Sequence, residues 1–136
     1  TNPDLNFGQQ DILVARASDG GPFTTIANVS GATYWTGAVA DWSAIGVDSS
    51  SGVTVAWRQS VSTPLKSYDT QRDVFFSRST DRGATWTTPV NLSSNLGDTL
   101  LGGMPPALVA DASGKIQIFW DDDTPGSSQI VRAVVP

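Results

Sequence analysis

The chain repeats itself, and that repeat limits its fold more than any other feature. Asp11-Ile12-Leu13-Val14-Ala15-Arg16-Ala17-Ser18-Asp19-Gly20-Gly21 returns 62 residues later as Asp73-Val74-Phe75-Phe76-Ser77-Arg78-Ser79-Thr80-Asp81-Arg82-Gly83. After a one-residue gap, Phe23-Thr24-Thr25 falls on Trp86-Thr87-Thr88 and Asn28-Val29-Ser30 on Asn91-Leu92-Ser93. A second pair joins Gly52-Val53-Thr54-Val55-Ala56-Trp57 to Gly114-Lys115-Ile116-Gln117-Ile118-Phe119-Trp120. Trp57 and Trp120 stand 63 apart, and Asp48 and Asp111 keep that spacing. A unit longer than a hairpin that recurs in this way is stacked or arranged radially, because one copy alone cannot bury its apolar face.

Each unit reads as four strands. Residues 44–47 and 107–110 give the first. Residues 53–57 and 116–120 give the second, with Val53, Val55 and Trp57 alternating onto one face. Residues 74–79 give the third and 87–92 the fourth. The chain begins with a third and a fourth strand, runs through a whole unit, and ends on a first, second and third (129–135). That makes nine strands. No stretch carries helical periodicity over three turns, and the richness in Gly, Ser, Thr, Asp and Pro suits short strands joined by turns.

Between the third and fourth strands lies Ser79-Thr80-Asp81-Arg82-Gly83-Ala84-Thr85-Trp86, which fits Ser-x-Asp-x-Gly-x-Thr-Trp along its length. Asp81 is placed to accept amide bonds across a tight turn, and Gly83 can take a positive φ. Ser79 and Thr85 add hydroxyl bonds, and Trp86 can lie over the turn. The earlier copy at Asp19, Gly21 and Phe23 is a degraded version, with Ala17 for Ser and Phe23 for Trp. This pattern resembles the Asp box, or BNR repeat, of sialidase-type β-propellers, in which the box is a structural hairpin remote from the active centre. The resemblance implies an all-β fold of four-stranded antiparallel propeller blades. About two blades plus one strand are present, as part of a larger propeller that is six-bladed in the family resembled. Residues 1–136 would form a single segment: 11–30 the third and fourth strands of one blade, 42–93 a complete blade, and 105–135 the first three strands of the next. Open blade edges invite pairing. Other propeller segments, either copies of this chain or the rest of a longer one, are therefore expected partners. Three copies would supply 27 strands where six blades need 24, which favours a segment or a heteromeric assembly.

Composition excludes several functions. All thirteen acidic residues are Asp, and there is no His, Cys or Glu. That removes the usual zinc sites, a Ser-His-Asp triad and a thiol nucleophile. Net charge is −5 with no cluster of Lys or Arg, which argues against nucleic acid. No 18-residue apolar run exists, so membrane insertion by a helix is not expected. Thr1 stands where an initiator Met would be, and the chain reads as a processed product or a piece of something longer. The family resembled implies a secreted, periplasmic or cell-surface location.

Strand parity sorts the connections by end. The boxes share one end with the short turns 48–52 and 111–114, while the long connections gather at the other, where a rigid scaffold usually carries binding residues. Candidate ligand-binding residues there are Tyr34, Trp35, Asp41, Trp42, Arg58, Tyr68 and Asp121. Aromatic faces could stack on sugar rings, with Asp and Arg bonding hydroxyls. Trp35 and Trp42 could equally plug the gap between units. Asp121-Asp122-Asp123 offers hard oxygen ligands for Ca²⁺, but without EF-hand spacing it reads better as a solvated acidic turn; no metal or other cofactor is expected. A sialidase would show an arginine cluster, a Tyr nucleophile paired with an acid, usually Glu, and an Asp general acid. It would also carry a Phe/Tyr-Arg-Ile-Pro motif, absent here. Arg58, Asp121 and Tyr34 or Tyr68 supply residue types without fixed geometry, so the catalytic residues are unknown. The expectation is a non-catalytic module binding glycan or protein through its long-loop face. The alternatives are a fragment of a sialidase-type glycoside hydrolase and a structural subunit of a larger assembly. Arg16, Arg78 and Arg132 recur on the third strand and are expected to bond or pack against neighbouring units. Trp57 and Trp120 are expected in the core.

Overall fold

The computed structural model describes residues 10–30, 39–60, 72–94, 104–123 and 126–135. Within them nine strands form three antiparallel sheets, and there is no helix. The first sheet pairs β1 (Leu13–Arg16) with β2 (Thr25–Asn28). The second runs in chain order through β3 (Ala40–Val47), β4 (Val53–Ser60), β5 (Arg72–Ser79) and β6 (Val90–Asn91). The third holds β7 (Ala107–Ala110), β8 (Ile116–Asp122) and β9 (Gln129–Val134). The expected all-β class is what the structure has. β3 and β4 reach further than alternation suggested, to Ala40 and Ser60. The strand expected over 87–92 keeps only Val90–Asn91 in its ladder, with Thr87 N donating separately to Arg78 O at 2.9 Å.

The sheets pack face against face. On the second sheet, partner residues place Val55, Trp57 and Phe75 on one face and Ala56, Val74 and Phe76 on the other. The first face meets the first sheet in a cluster of Ile12, Val29, Ala40, Val55 and Trp57, joined by Val14, Ala27, Phe75 and Trp86. The opposite face meets the third sheet in a cluster of Ala56, Val74, Phe76, Ile116, Ile118, Trp120 and Val135. Trp57 is fully buried and Trp120 nearly so, as expected. Each indole donates to a polar residue two positions on: Trp57 Nε1 to Gln59 Oε1 at 2.9 Å, and Trp120 Nε1 to Asp122 Oδ2 at 3.3 Å. A buried indole needs such a partner, and the W-x-polar spacing recurs with the repeat.

Other matched residues also occupy matched positions. Val74 N donates to Ser93 Oγ at 2.8 Å, and Ile12 N to Ser30 Oγ at 3.3 Å. Asn91 Nδ2 donates to buried Asp73 at 2.6 Å, and Ser30 Oγ links Asp11 and Asn28. Two expectations need correction. Arg132 is not at the register of Arg78: Arg78 lies opposite Thr54, whereas Arg132 lies opposite Phe119, the counterpart of Ala56. The arginines also do not share one kind of partner. Arg78 bonds Asp48 of its own sheet at 2.6 Å, and Arg132 bonds Gln117 of its own sheet at 3.4 Å. Arg16 does lie beside the neighbouring sheet, near Gly83.

Candidate functional site

At both ends of the sheets the charged groups are bonded within the chain, by different means. At the short-turn end, Asp48 Oδ1 accepts from Ser50 N at 2.8 Å and Gly52 N at 2.7 Å, while Oδ2 takes Arg78. These bonds, led by the Gly52 amide, hold its carboxyl below the ordinary range. Asp111 repeats the turn with Ser113 N at 2.8 Å and Lys115 N at 3.1 Å, and its Oδ2 accepts from Gln117 Nε2 at 3.0 Å. The Ser113 hydroxyl, then Gln117 and the Lys115 amide, bring its pKa down to about 2. Gln117 therefore links Asp111 to Arg132, doing over two steps what Arg78 does for Asp48 in one.

The turn at 79–86 is as fully bonded. Asp81 Oδ1 accepts from Ser79 Oγ at 2.7 Å, Ala84 N at 3.0 Å and Thr85 N at 2.8 Å, and Oδ2 accepts from Thr85 Oγ1 at 2.6 Å. The Thr85 hydroxyl is the largest cause of a pKa held far below the carboxylate range. Gly83, at φ +83°, donates its amide to Ser79 Oγ at 2.7 Å, and Trp86 packs back on the cluster shared with the first sheet. The earlier copy closes differently. Gly21 N bonds Ser18 O at 2.6 Å, and the positive φ values fall on Asp19 and Gly20, one position earlier than the matched residues Arg82 and Gly83. Asp19 is exposed and makes no side-chain hydrogen bond among the described residues, and Phe23 is exposed where Trp86 is half-buried. The missing residue and the loss of the Ser79 hydroxyl account for this difference.

At the long-connection end the structure brings three predicted residues together. Arg58, near the end of β4, is buried. Its Nε and Nη2 donate to Asp41 Oδ1 and Oδ2 at 2.7 and 2.6 Å. On the other side its guanidinium lies over the Trp42 ring, 3.5 Å from the centroid. A desolvated cation–π contact of this kind is worth about 2 kcal/mol. Trp42 adopts φ +50° at a bulge between Asp41 and Ala44, an uncommon conformation for a bulky residue. Its indole also packs against the cluster between the second and third sheets. Trp42 therefore fills the gap between sheets, one of the two roles expected of it, and the ring face toward Arg58 is occupied.

Asp121 does not join this group by strand geometry. It pairs opposite Ile130, on the face of the third sheet turned away from the second, while Asp122 lies on the facing side and is buried. The two carboxylates therefore point to opposite faces. No group of three acidic or other metal-ligating residues occurs among the described residues. Tyr34, Trp35 and Tyr68 lie outside the described residues.

A scan of protein-family models and a search of curated proteins return no match. Both oxygens of Asp41 and two guanidinium nitrogens of Arg58 are committed to each other, which holds the pair in a single geometry. What the cluster does is tie together the roots of two long connections, since Asp41 follows residues 31–38 and Arg58 precedes 61–71. The residue types of this cluster were visible in the sequence. Their pairing was not, because 17 residues separate Asp41 from Arg58. Gln59 was not singled out by the sequence, Asp122 is a buried strand residue that accepts from Trp120 rather than part of a solvated acidic turn, and Gln117 was not singled out either. A fixed two-residue offset from each core Trp was the signal that could have found the first two.

Proposed function

We propose that this chain is a non-catalytic recognition or scaffold module of Asp-box propeller blades, secreted or exposed at a cell surface, which contacts a glycan or protein through its long-connection end. The observation that carries this reading is the Asp41–Arg58–Trp42 cluster. Its groups are spent on one another, as suits a rigid base at the strand ends next to the segments 31–38 and 61–71. Those segments hold Tyr34, Trp35 and Tyr68, aromatic residues that the repeat does not duplicate, and which are therefore free of a duty shared by every unit. The opposite end supports the same assignment, because the carboxylates of Asp48, Asp81 and Asp111 are consumed by their own turns.

The test is binding to an immobilised glycan panel by the parent and by Trp35→Ala and Tyr68→Ala. The expected result is loss of at least tenfold in binding with an unchanged circular dichroism spectrum. Binding that survives both substitutions counts against the carbohydrate form of the reading. Release of reporter from a fluorogenic sialoside by this chain would replace it with a glycosidase. A structural-subunit reading has its own support in exposed Leu13, Ile26, Ile130 and Val134 on the outermost sheet faces.

A further inference from the structure

The outward edge of β9 has no partner strand among the described residues. Val135 N donates to Ile116 O at 2.9 Å. The alternation of an antiparallel ladder then turns Val131 and Ala133 toward β8, and the amides of Ile130, Arg132 and Val134 toward the open side. Elsewhere the corresponding edge is filled twice, in the same way. Val29 N and Thr24 N donate to Ile12 O and Arg16 O of the β1 segment, and Leu92 N and Thr87 N donate to Val74 O and Arg78 O of β5. Val74 and Arg78 lie opposite Arg58 and Thr54. Their counterparts opposite Asp121 and Gln117 are Ile130 and Val134.

Beside this edge lies a cleft of about 430 Å³, lined in part by Phe76, Arg78, Trp86, Val90 and Val135. Phe76 and Arg78 belong to the face of the second sheet turned toward the third. At the contact between the first and second sheets, the aromatic of the box turn, Trp86, packs into the shared cluster beside Arg16. The third sheet has no such aromatic among the described residues, and the cleft stands at the equivalent place beside Arg78.

The geometry points to a strand-acceptor site: the open edge of β9 takes up an extended peptide segment, antiparallel, whose leading tryptophan enters the cleft. The occupant has the chemistry of residues 86–92, an aromatic followed by a Val-Asn-Leu strand. The site continues a pairing that the chain already makes twice. Backbone bonds supply the affinity and the aromatic the selectivity, as in other cases of strand addition. This pairing is independent of any ligand at the long-connection end, so loss of either leaves the other in place.

The experiment uses the whole chain and a synthetic peptide of residues 84–94, read by residue-resolved amide hydrogen exchange. The peptide is expected to slow exchange at Ile130, Arg132 and Val134 at least tenfold. A peptide N-methylated at the Thr87 and Leu92 amides is expected to give no protection, and one carrying Trp86→Ala to bind at least tenfold more weakly. Three results would overturn the proposal: no protection at those amides with millimolar peptide, equal binding by the tryptophan-free peptide, or protection already present before peptide is added.

Discussion

Asp81 and Asp19 hold matched places in the sequence and unmatched places in the structure. Asp81 closes its turn with four bonds, whereas Asp19 closes none. Asp81→Ala is therefore expected to lower the thermal midpoint by several degrees and Asp19→Ala to leave it nearly unchanged, by differential scanning calorimetry of the two variants; equal effects would remove the distinction. Asp48, Asp81 and Asp111 all have folded pKa values below the ordinary value. The unfolded chain protonates them first, so their contribution is complete above the unfolded carboxylate range, near pH 4, and fades as pH falls toward about 2. With no His or Glu, the midpoint is expected to be flat from about pH 5 to 7 and to fall below about pH 4. A further prediction concerns Arg58. Replacing it by Ala strands a largely buried Asp41 and uncovers Trp42, at a cost of about 3 kcal/mol or more in urea unfolding. A loss under about 1 kcal/mol would mean that the pair behaves like an exposed one. The bonding of the 79–86 turn could be read from its letters, because every partner lies within six residues. The left-handed Trp42 could not, since nothing local marks the bulge that creates it.

At the scale of strands, alternation located the sheets well because each strand has an apolar face against a neighbour. Register was less legible. The connection 61–71 between β4 and β5 is longer than the one between β8 and β9, and Arg132 arrives two residues away from the position of Arg78. A sequence alignment that matches arginines hides this shift. Gln117 makes it tolerable by reaching Asp111 and accepting from Arg132. Gln117→Leu is expected to speed amide exchange at Ser113 and Lys115 while leaving Ser50 and Gly52 unchanged; unchanged exchange at all four would show that the glutamine bridge is idle. Gly114 belongs to the same turn. Its φ of +79° and its approach to Ser49, where a Cβ would collide, predict that Gly114→Ala costs more than about 1 kcal/mol, measured by denaturant unfolding.

For the molecule as a whole, both outer faces keep apolar side chains in solvent, Leu13 and Ile26 at the start and Val109, Ile130 and Val134 at the end. Light scattering is expected to show mass rising with concentration, and Ile26→Lys with Ile130→Lys to suppress the rise; a constant mass equal to one chain would refute this. The direction of packing sets what such growth can produce. Ile12, Val14 and Val29, which the first sheet turns to the second, match Val74, Phe76 and Leu92, which the second turns to the third. The stack is thus polar, with unlike ends. A copy seated by that rule cannot form a closed two-fold pair: it leaves a fresh end exposed, and addition stops only when the accumulated rotation brings the last end back to the first. Rings of a set number, or fibres without one, are the symmetries open to it.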